Sequence, residues 1–456
     1  MNIPGTLLRR KYARLALVAS IAALALTACS NNSGGNTAST DPTASSSSTA
    51  GGGAIKIGIL SICGGPFATF EAESFSGAKY ALIKDANGQA QGQQPQDQIS
   101  GATVAGKPIT ITFGCSDASP DKAVAEARRL VENVGVKILL GPLSGDEGIA
   151  VANYAKSVPD VTFVNGTSGA QSTTLPPIAP NFFRFGGDGA QWMAGLGTYA
   201  YKTLGWRKVA ILAEDYSYPY TQAAGFIAEF GSLGGKISSR TYVPLTQTDW
   251  SSPVAKLPRD VDGVLLLTGG SNTVAAEKAF IQIGKVPGKF LLGGSSVMDP
   301  TSFTVGAPLV GLTGGSPVPL GGTDSAWATY ASGFSSAFPA APGDSLFTVL
   351  YYDGMEAIIK GLTNSKGATG TSLQSALGTL QMDFPNGQVK LDSNRNAIQP
   401  NYVVQITNDG GKLGFKVVNT IVNVDQTFGG LFGPTSKAPS RTEPQATAGN
   451  LPPWAK

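Results

Sequence analysis

Residues 109 to 170 restrict the fold of this chain more than any other stretch. They read ITITFGCSDASPDKAVAEARRLVENVGVKILLGPLSGDEGIAVANYAKSVPDVTFVNGTSGA, which spells strand, helix, strand, helix, strand. Ile109–Phe113 is a β-rich run ending at Gly114 and Cys115. Ser119 is a natural N-cap, with Pro120 at the first helical position and Asp121 in the first turn. Ala123, Ala127, Leu130, Val131 and Val134 then fall on one helical face, and Gly135 closes the helix. Val136–Leu140 is an apolar run bounded by GPLSG, as in a strand buried on both faces of a parallel sheet. A second helix leads to Val161–Val164 and the polar loop NGTSG.

Two successive β-α units make a parallel sheet, and such sheets bind ligands at the carboxyl ends of their strands. Ser144, Gly145, Asp146, Asn165, Thr167 and Ser168 occupy those ends. The expected fold class is therefore α/β with doubly wound parallel sheets, and these six residues form a candidate binding rim. Several of them have a structural alternative. Ser144, Thr167 and Ser168 are also good helix caps, and Asp146 and Glu147 are also first-turn acids favoured by the helix dipole.

The 456 residues suffice for two domains. The chain has no histidine, which removes the Ser-His-Asp arrangement and the commonest zinc ligand. It also has no GxSxG elbow, P-loop or metal-ligand cluster, so neither an enzyme nor a bound cofactor or metal is expected. The amino end carries Arg9, Arg10, Lys11 and Arg14 before an apolar run from Leu15 to Leu26 and the sequence Leu26-Thr27-Ala28-Cys29. That run is too short and Ala-rich to span a bilayer comfortably, and the arrangement reads as a signal peptide over residues 1–28. Its end resembles the lipobox of bacterial lipoproteins, which implies lipidation at Cys29. Residues 29–53 form a Ser/Thr/Gly tether. Removing the leader takes four positives from a formal charge of +3 and leaves −1, so nucleic acid is not an expected partner.

Cys63 and Cys115 follow the first two strands of the sheet, which are neighbours in a doubly wound order, and an exported chain meets oxidising conditions. A disulfide between them is expected. Downstream, Pro176, Pro177 and Pro180 mark a crossing to a second domain, and strands ending in AEDYSYPY, TGGSNT and GGSS repeat the pattern of small polar loops. Asn386-Gly387 signals a hairpin turn, and the Pro-rich tail 437–456 reads as loosely ordered.

From about residue 54 to 406, IKIGILSICGGPFA, DASPDKAVAEARRLVE with LLGPLSG, FRFGGDGAQ, AEDYSYPY, TDWSSPVAKL, YYDGMEAIIKGL and FPNGQVKLDSNRNAIQPNYVV occur in one order. Together they resemble the extracytoplasmic solute-binding proteins of ABC importers, of the branched-chain amino acid and amide type. The resemblance implies the type I periplasmic binding protein fold: two lobes, 54–177 plus 298–380 and 178–297 plus 381–436, joined by three crossings around a ligand cleft. It implies a monomer, held to the membrane by its lipid anchor, that binds a small solute and delivers it to a permease. An amino acid is the expected solute, with a short amide or small organic acid as the alternative, and a sensory receptor is a second role for the same fold. By the same resemblance Phe70 and Tyr218 are the aromatic cleft walls, and Ser271 and Asn272 stand where the family often has an aromatic. Gly145 replaces an expected Ser, and Ser295 stands where the family carries the acid for an amino acid's ammonium group. Asp146 or Glu147 would have to replace that acid from the other lobe.

Overall fold

The computed structural model describes residues 53–456, so the expected signal peptide, Cys29 and all but the end of the tether lie outside the described residues. Two sheets organise the rest. The first runs in the order Thr103–Val104, Lys107–Ser116, Ile55–Ile62, Ile138–Leu140, Thr162–Val164, Phe182–Phe183, and is parallel except at its first pair. The strand Ile138–Leu140 is buried throughout, in keeping with its unbroken apolar sequence. Ser119 Oγ accepts from Lys122 N at 3.4 Å, Pro120 opens the helix Pro120–Arg128, and a π-turn carries it on to Gly135 at φ 77°.

The second sheet runs Lys236–Val243, Lys208–Glu214, Gly263–Leu267, Leu291–Gly293, Thr313–Ser316, Ala397–Asp409, Gly387–Leu391, Gln381–Phe384. Its first five strands are parallel and the rest antiparallel, with Lys412–Val424 on the free side of Ala397–Asp409. Two short strands fall outside the lobes expected for them. Phe182–Phe183 pairs with the first sheet through Phe163 and Val164. Thr313–Ser316 pairs with the second, so the chain returns to the first lobe only in the loop before the helix Ser325–Ala337.

The helices Phe70–Asp85 and Leu346–Asn364 pack against each other on the first sheet. The second carries Ser217–Ser232 and Gly270–Gln282. Their buried Leu, Ile and Phe side chains each contribute about 1.5–3 kcal/mol when fully removed from water. The tail departs from expectation. Instead of hanging free it packs along the second lobe, where the Trp454 ring meets Phe428 edge-on at 4.9 Å and Lys202 Nζ donates to Ala455 O at 2.9 Å. Among the described residues no helix is long and apolar enough to cross a membrane.

Candidate functional site

The carboxyl ends of both parallel sheets face one another across a cleft. Cys63 and Cys115 end neighbouring strands with their Cα atoms 5.3 Å apart, and they are joined as a disulfide. That bond fixes the start of the loop Gly64–Phe67, which reaches the second lobe: Ser271 Oγ lies 3.4 Å from Pro66 O. Gly270, at φ 54°, accommodates this approach, since a Cβ there would stand 2.2 Å from Pro66 O.

Six aromatic side chains converge in the cleft. Phe67, Phe70 and Phe347 come from the first lobe, Trp192 from the first crossing, and Tyr216 and Tyr218 from the second lobe. Phe70 stacks on Phe347 with ring centroids 3.7 Å apart, Phe67 lies 6.1 Å from Tyr216, and Trp192 meets Tyr218 edge-on at 5.6 Å. Leu143, Ser144, Thr167 and Ser296 complete the wall. The Tyr218 hydroxyl is 3.1 Å from Ser296 Oγ, and burial pushes its phenol above the ordinary range. The free space between these groups is about 10 Å³, roughly that of one water, so a larger ligand enters only if lobes or rings move.

Tyr218 fits because glycines face it. A Cβ on Gly169 would lie 2.6 Å from the ring, and one on Gly145 would lie 2.5 Å from Ser217 Oγ and 3.0 Å from Tyr218 N. Gly145 thus stands where a larger residue would hold the lobes apart, which accounts physically for the missing Ser. Asp146 faces the other lobe as well, its Oδ1 accepting from Ser217 N at 3.1 Å.

Of the residues expected from sequence, Phe70, Ser144, Thr167 and Tyr218 line the cavity, and Gly145 and Asp146 join the lobes beside it. Asn165 sits behind the wall, donating to Gly166 O and Ser168 O at 3.2 and 3.1 Å. Ser168 is fully buried, and its Oγ packs where a Cβ on Gly148 would stand. Asn272 turns inward to Glu214 Oε1 at 2.8 Å, and Ser295 accepts from Gln222 Nε2 at 3.2 Å, its neighbour Ser296 taking the place at the cavity. Phe67, Trp192, Tyr216 and Phe347 were not among the expected site residues.

Two hydroxyl oxygens at the lobe junction, Ser168 Oγ and Ser217 Oγ, are buried with no partner among the described residues. Two acids lie just behind. Glu147 accepts from Ser144 N at 3.1 Å, and burial raises its carboxyl to about 7, opposed by hydrogen bonds from Ser116 and Ser144. Glu214 is raised by burial to about 8, opposed by hydrogen bonds from Asn272 and the backbone N–H of Gly269.

Residues 54–412 match the family model described as periplasmic binding protein. The chain belongs to that family. No curated protein sequence matches this binding protein significantly. Its fold is similar to that of a solute-binding protein of an ABC transporter from Rhodopseudomonas palustris BisB5, solved with 3,4-dihydroxybenzoic acid. That likeness has 22% identity and a TM-score of 0.72 over 82% of this chain and 98% of the other. It is similar to a second from R. palustris HaA2, solved with p-hydroxybenzoic acid, at 22% identity, TM-score 0.70 and coverage of 82% and 98%. A leucine-binding protein from Thermotoga maritima also shares the fold, at 17% identity, TM-score 0.68 and coverage of 81% and 99%.

Proposed function

We propose that this binding protein is the extracytoplasmic receptor of an ABC importer for a small aromatic carboxylate. On this reading Cys29 carries the lipid anchor, and the closed lobes deliver the solute to a membrane permease. The observation that carries it is the convergence of Phe67, Phe70, Phe347, Trp192, Tyr216 and Tyr218 from both lobes on one cavity. Rings on both sides suit a flat apolar ligand, because offset and edge-on aromatic contacts contribute about 0.5–1.5 kcal/mol each beyond area burial. Ser144, Thr167 and Ser296 supply hydroxyls suited to a carboxylate or phenol. Two solved relatives of the fold hold hydroxylated benzoic acids, which supports the same class of ligand.

An amino acid is the second reading, and Glu214 favours it. Its carboxyl lies just behind the cleft, and an ammonium group beside it would hold it ionised.

Thermal-shift titration of the purified mature chain separates the two. A ligand at 100 times its dissociation constant adds ~2.7 kcal/mol, which raises the midpoint by a few degrees. Stabilisation by benzoate, 4-hydroxybenzoate or 3,4-dihydroxybenzoate, with none from leucine or phenylalanine, is the expected result. The reverse pattern replaces the aromatic acid with an amino acid.

A further inference from the structure

The family match ends at residue 412, yet the chain continues for a strand and a packed C-terminal segment. From Asp425 onward this segment straps the outer side of the second lobe. It is fastened at both ends of the helix Ser217–Ser232. At the carboxyl end, Gly449 N donates to Ser232 O at 2.7 Å. At the amino end, Arg441 grips Asp215: Nε donates to Oδ1 at 2.7 Å, and Nη2 donates to Oδ2. The Tyr220 hydroxyl donates to the same Oδ1 and lies 3.3 Å from Arg441 Nε. Between these points Gln445 Nε2 reaches Ile237 O at 3.4 Å, and the strap covers Ala224, Ile227 and Ala228 on the outer face of the helix.

Asp215 is the hub of this arrangement. Its backbone N donates to Val243 O at 2.9 Å, so one side of the residue is fixed to the sheet. Its side chain is held from outside by the fork of Arg441, a planar geometry that fixes orientation as well as distance. The next residue, Tyr216, meets Phe67 of the first lobe, and the one after, Ser217, donates its N–H to Asp146. Tyr218 then lines the cavity. Three consecutive residues after Asp215 thus make the lobe junction, and Arg441 holds the residue from which they leave the sheet.

We propose that Arg441 is a positioning residue for the ligand cleft. Through Asp215, the C-terminal strap fixes the loop carrying Tyr216, Ser217 and Tyr218, and so sets how closely the two lobes meet. The inference rests on the reading of this cleft as the solute site, and its test does not require the solute to be known.

The experiment is hydrogen–deuterium exchange on the full mature chain, without ligand, for wild type, Arg441→Ala, Arg441→Lys, Asp215→Asn and the Arg441→Ala/Asp215→Asn pair. Arg441→Ala is expected to speed exchange several-fold both in 213–222 and in 143–148 of the opposite lobe. The core of the helix, 224–230, and the thermal midpoint should stay unchanged. Arg441→Lys should restore part of the protection, and the double variant should add nothing to either single one. Faster exchange confined to 437–450 overturns the proposal, as does uniform acceleration across the second lobe with a lower midpoint. If wild type ignores every benzoate in the thermal-shift panel, the aromatic-acid reading fails while this exchange pattern still decides the role of Arg441.

Discussion

Asp146 Oδ1, on the first lobe, accepts a hydrogen bond from the backbone N–H of Ser217, the first residue of a 16-residue helix on the second lobe, at 3.1 Å. The contact works as an N-cap supplied by the opposite lobe. A carboxylate there satisfies an orphan amide and faces the positive end of the helix dipole. The cap exists only when the lobes meet, so it favours closure. Asp146→Ala should weaken solute binding by about 1 kcal/mol, roughly fivefold, expressed mainly as faster dissociation. Isothermal titration with stopped-flow release checks it, and an unchanged affinity would show that the cap contributes nothing to ligand-linked closure.

Gly145 tests closure from the other direction. Gly145→Ser introduces the hydroxyl that the family resemblance expects, but its Cβ meets Ser217 Oγ at 2.5 Å. Overpacking of this kind costs about 1–3 kcal/mol. The variant should bind solute more weakly than wild type despite gaining a donor. A tighter complex would mean that the lobes have room to adjust.

These two positions show how far the sequence was legible. Ser119, Pro120 and Gly135 framed a helix from local chemistry alone, and the apolar run before GPLSG marked a buried parallel strand. Cys63 and Cys115 were predictable as neighbours because strand order follows from the βαβ pattern. Across the cleft, local rules fail. Phe67, Phe347 and Trp192 carry no local mark of a shared cavity, because it forms only when segments about 280 residues apart meet. Ser295 and Ser296 are chemically alike, so nothing local says which one faces the cavity. Pro and polar residues made the tail look free, whereas Arg441 finds its partner 226 residues upstream.

Tyr218 separates ring packing from hydrogen bonding. Tyr218→Phe keeps the ring and removes the hydroxyl contact with Ser296 Oγ, worth about 0.5–1.5 kcal/mol. Tyr218→Ala also removes the ring that meets Trp192, so its loss of affinity should be larger by at least another ~1 kcal/mol for an aromatic ligand. Titration of both variants with 4-hydroxybenzoate provides the comparison, and equal losses would place the ring outside the binding surface.

The disulfide closes a loop with a sequence separation of 52. Chain entropy assigns such a loop about 4 kcal/mol, and measured values cluster around 2–4 kcal/mol. The double variant Cys63→Ser/Cys115→Ser should therefore unfold at lower denaturant, with an unchanged slope if the fold is preserved. Its binding should weaken as well, because the same bond anchors the loop bearing Pro66 and Phe67. Loss of stability with intact affinity would confine the disulfide to a structural role.

The pH response follows from a buried group of acids between the lobes. Ser345 Oγ lies 2.6 Å from Glu73 Oε2 and 2.7 Å from Asp299 Oδ2, while accepting from Phe347 N at 3.2 Å. Glu73 and Ser345 belong to the first lobe. Asp299 opens a turn that packs on the helix Gly270–Gln282 of the second. A hydroxyl has one proton, so it cannot donate to both carboxyls, and one of them must carry a proton. Burial raises Glu73 far above the usual carboxylate range, reinforced by the charge of Asp299, and burial also raises Asp299. Nearby Asp344 is lifted to about 6 by burial, with the Asp299 charge adding to it. The native chain therefore binds more protons than the unfolded chain above pH ~4, where free carboxyls ionise. The stabilisation is complete below that pH and declines as pH rises through the raised native values. Midpoints measured from pH 5 to pH 8 should fall, as should solute affinity if ionisation separates the lobes. Glu73→Gln keeps a donor in place without a charge and should flatten both profiles at the alkaline end. A profile as steep as that of wild type would assign the proton to other buried acids, among which Glu147 and Glu214, raised to about 7 and about 8, titrate in the same window.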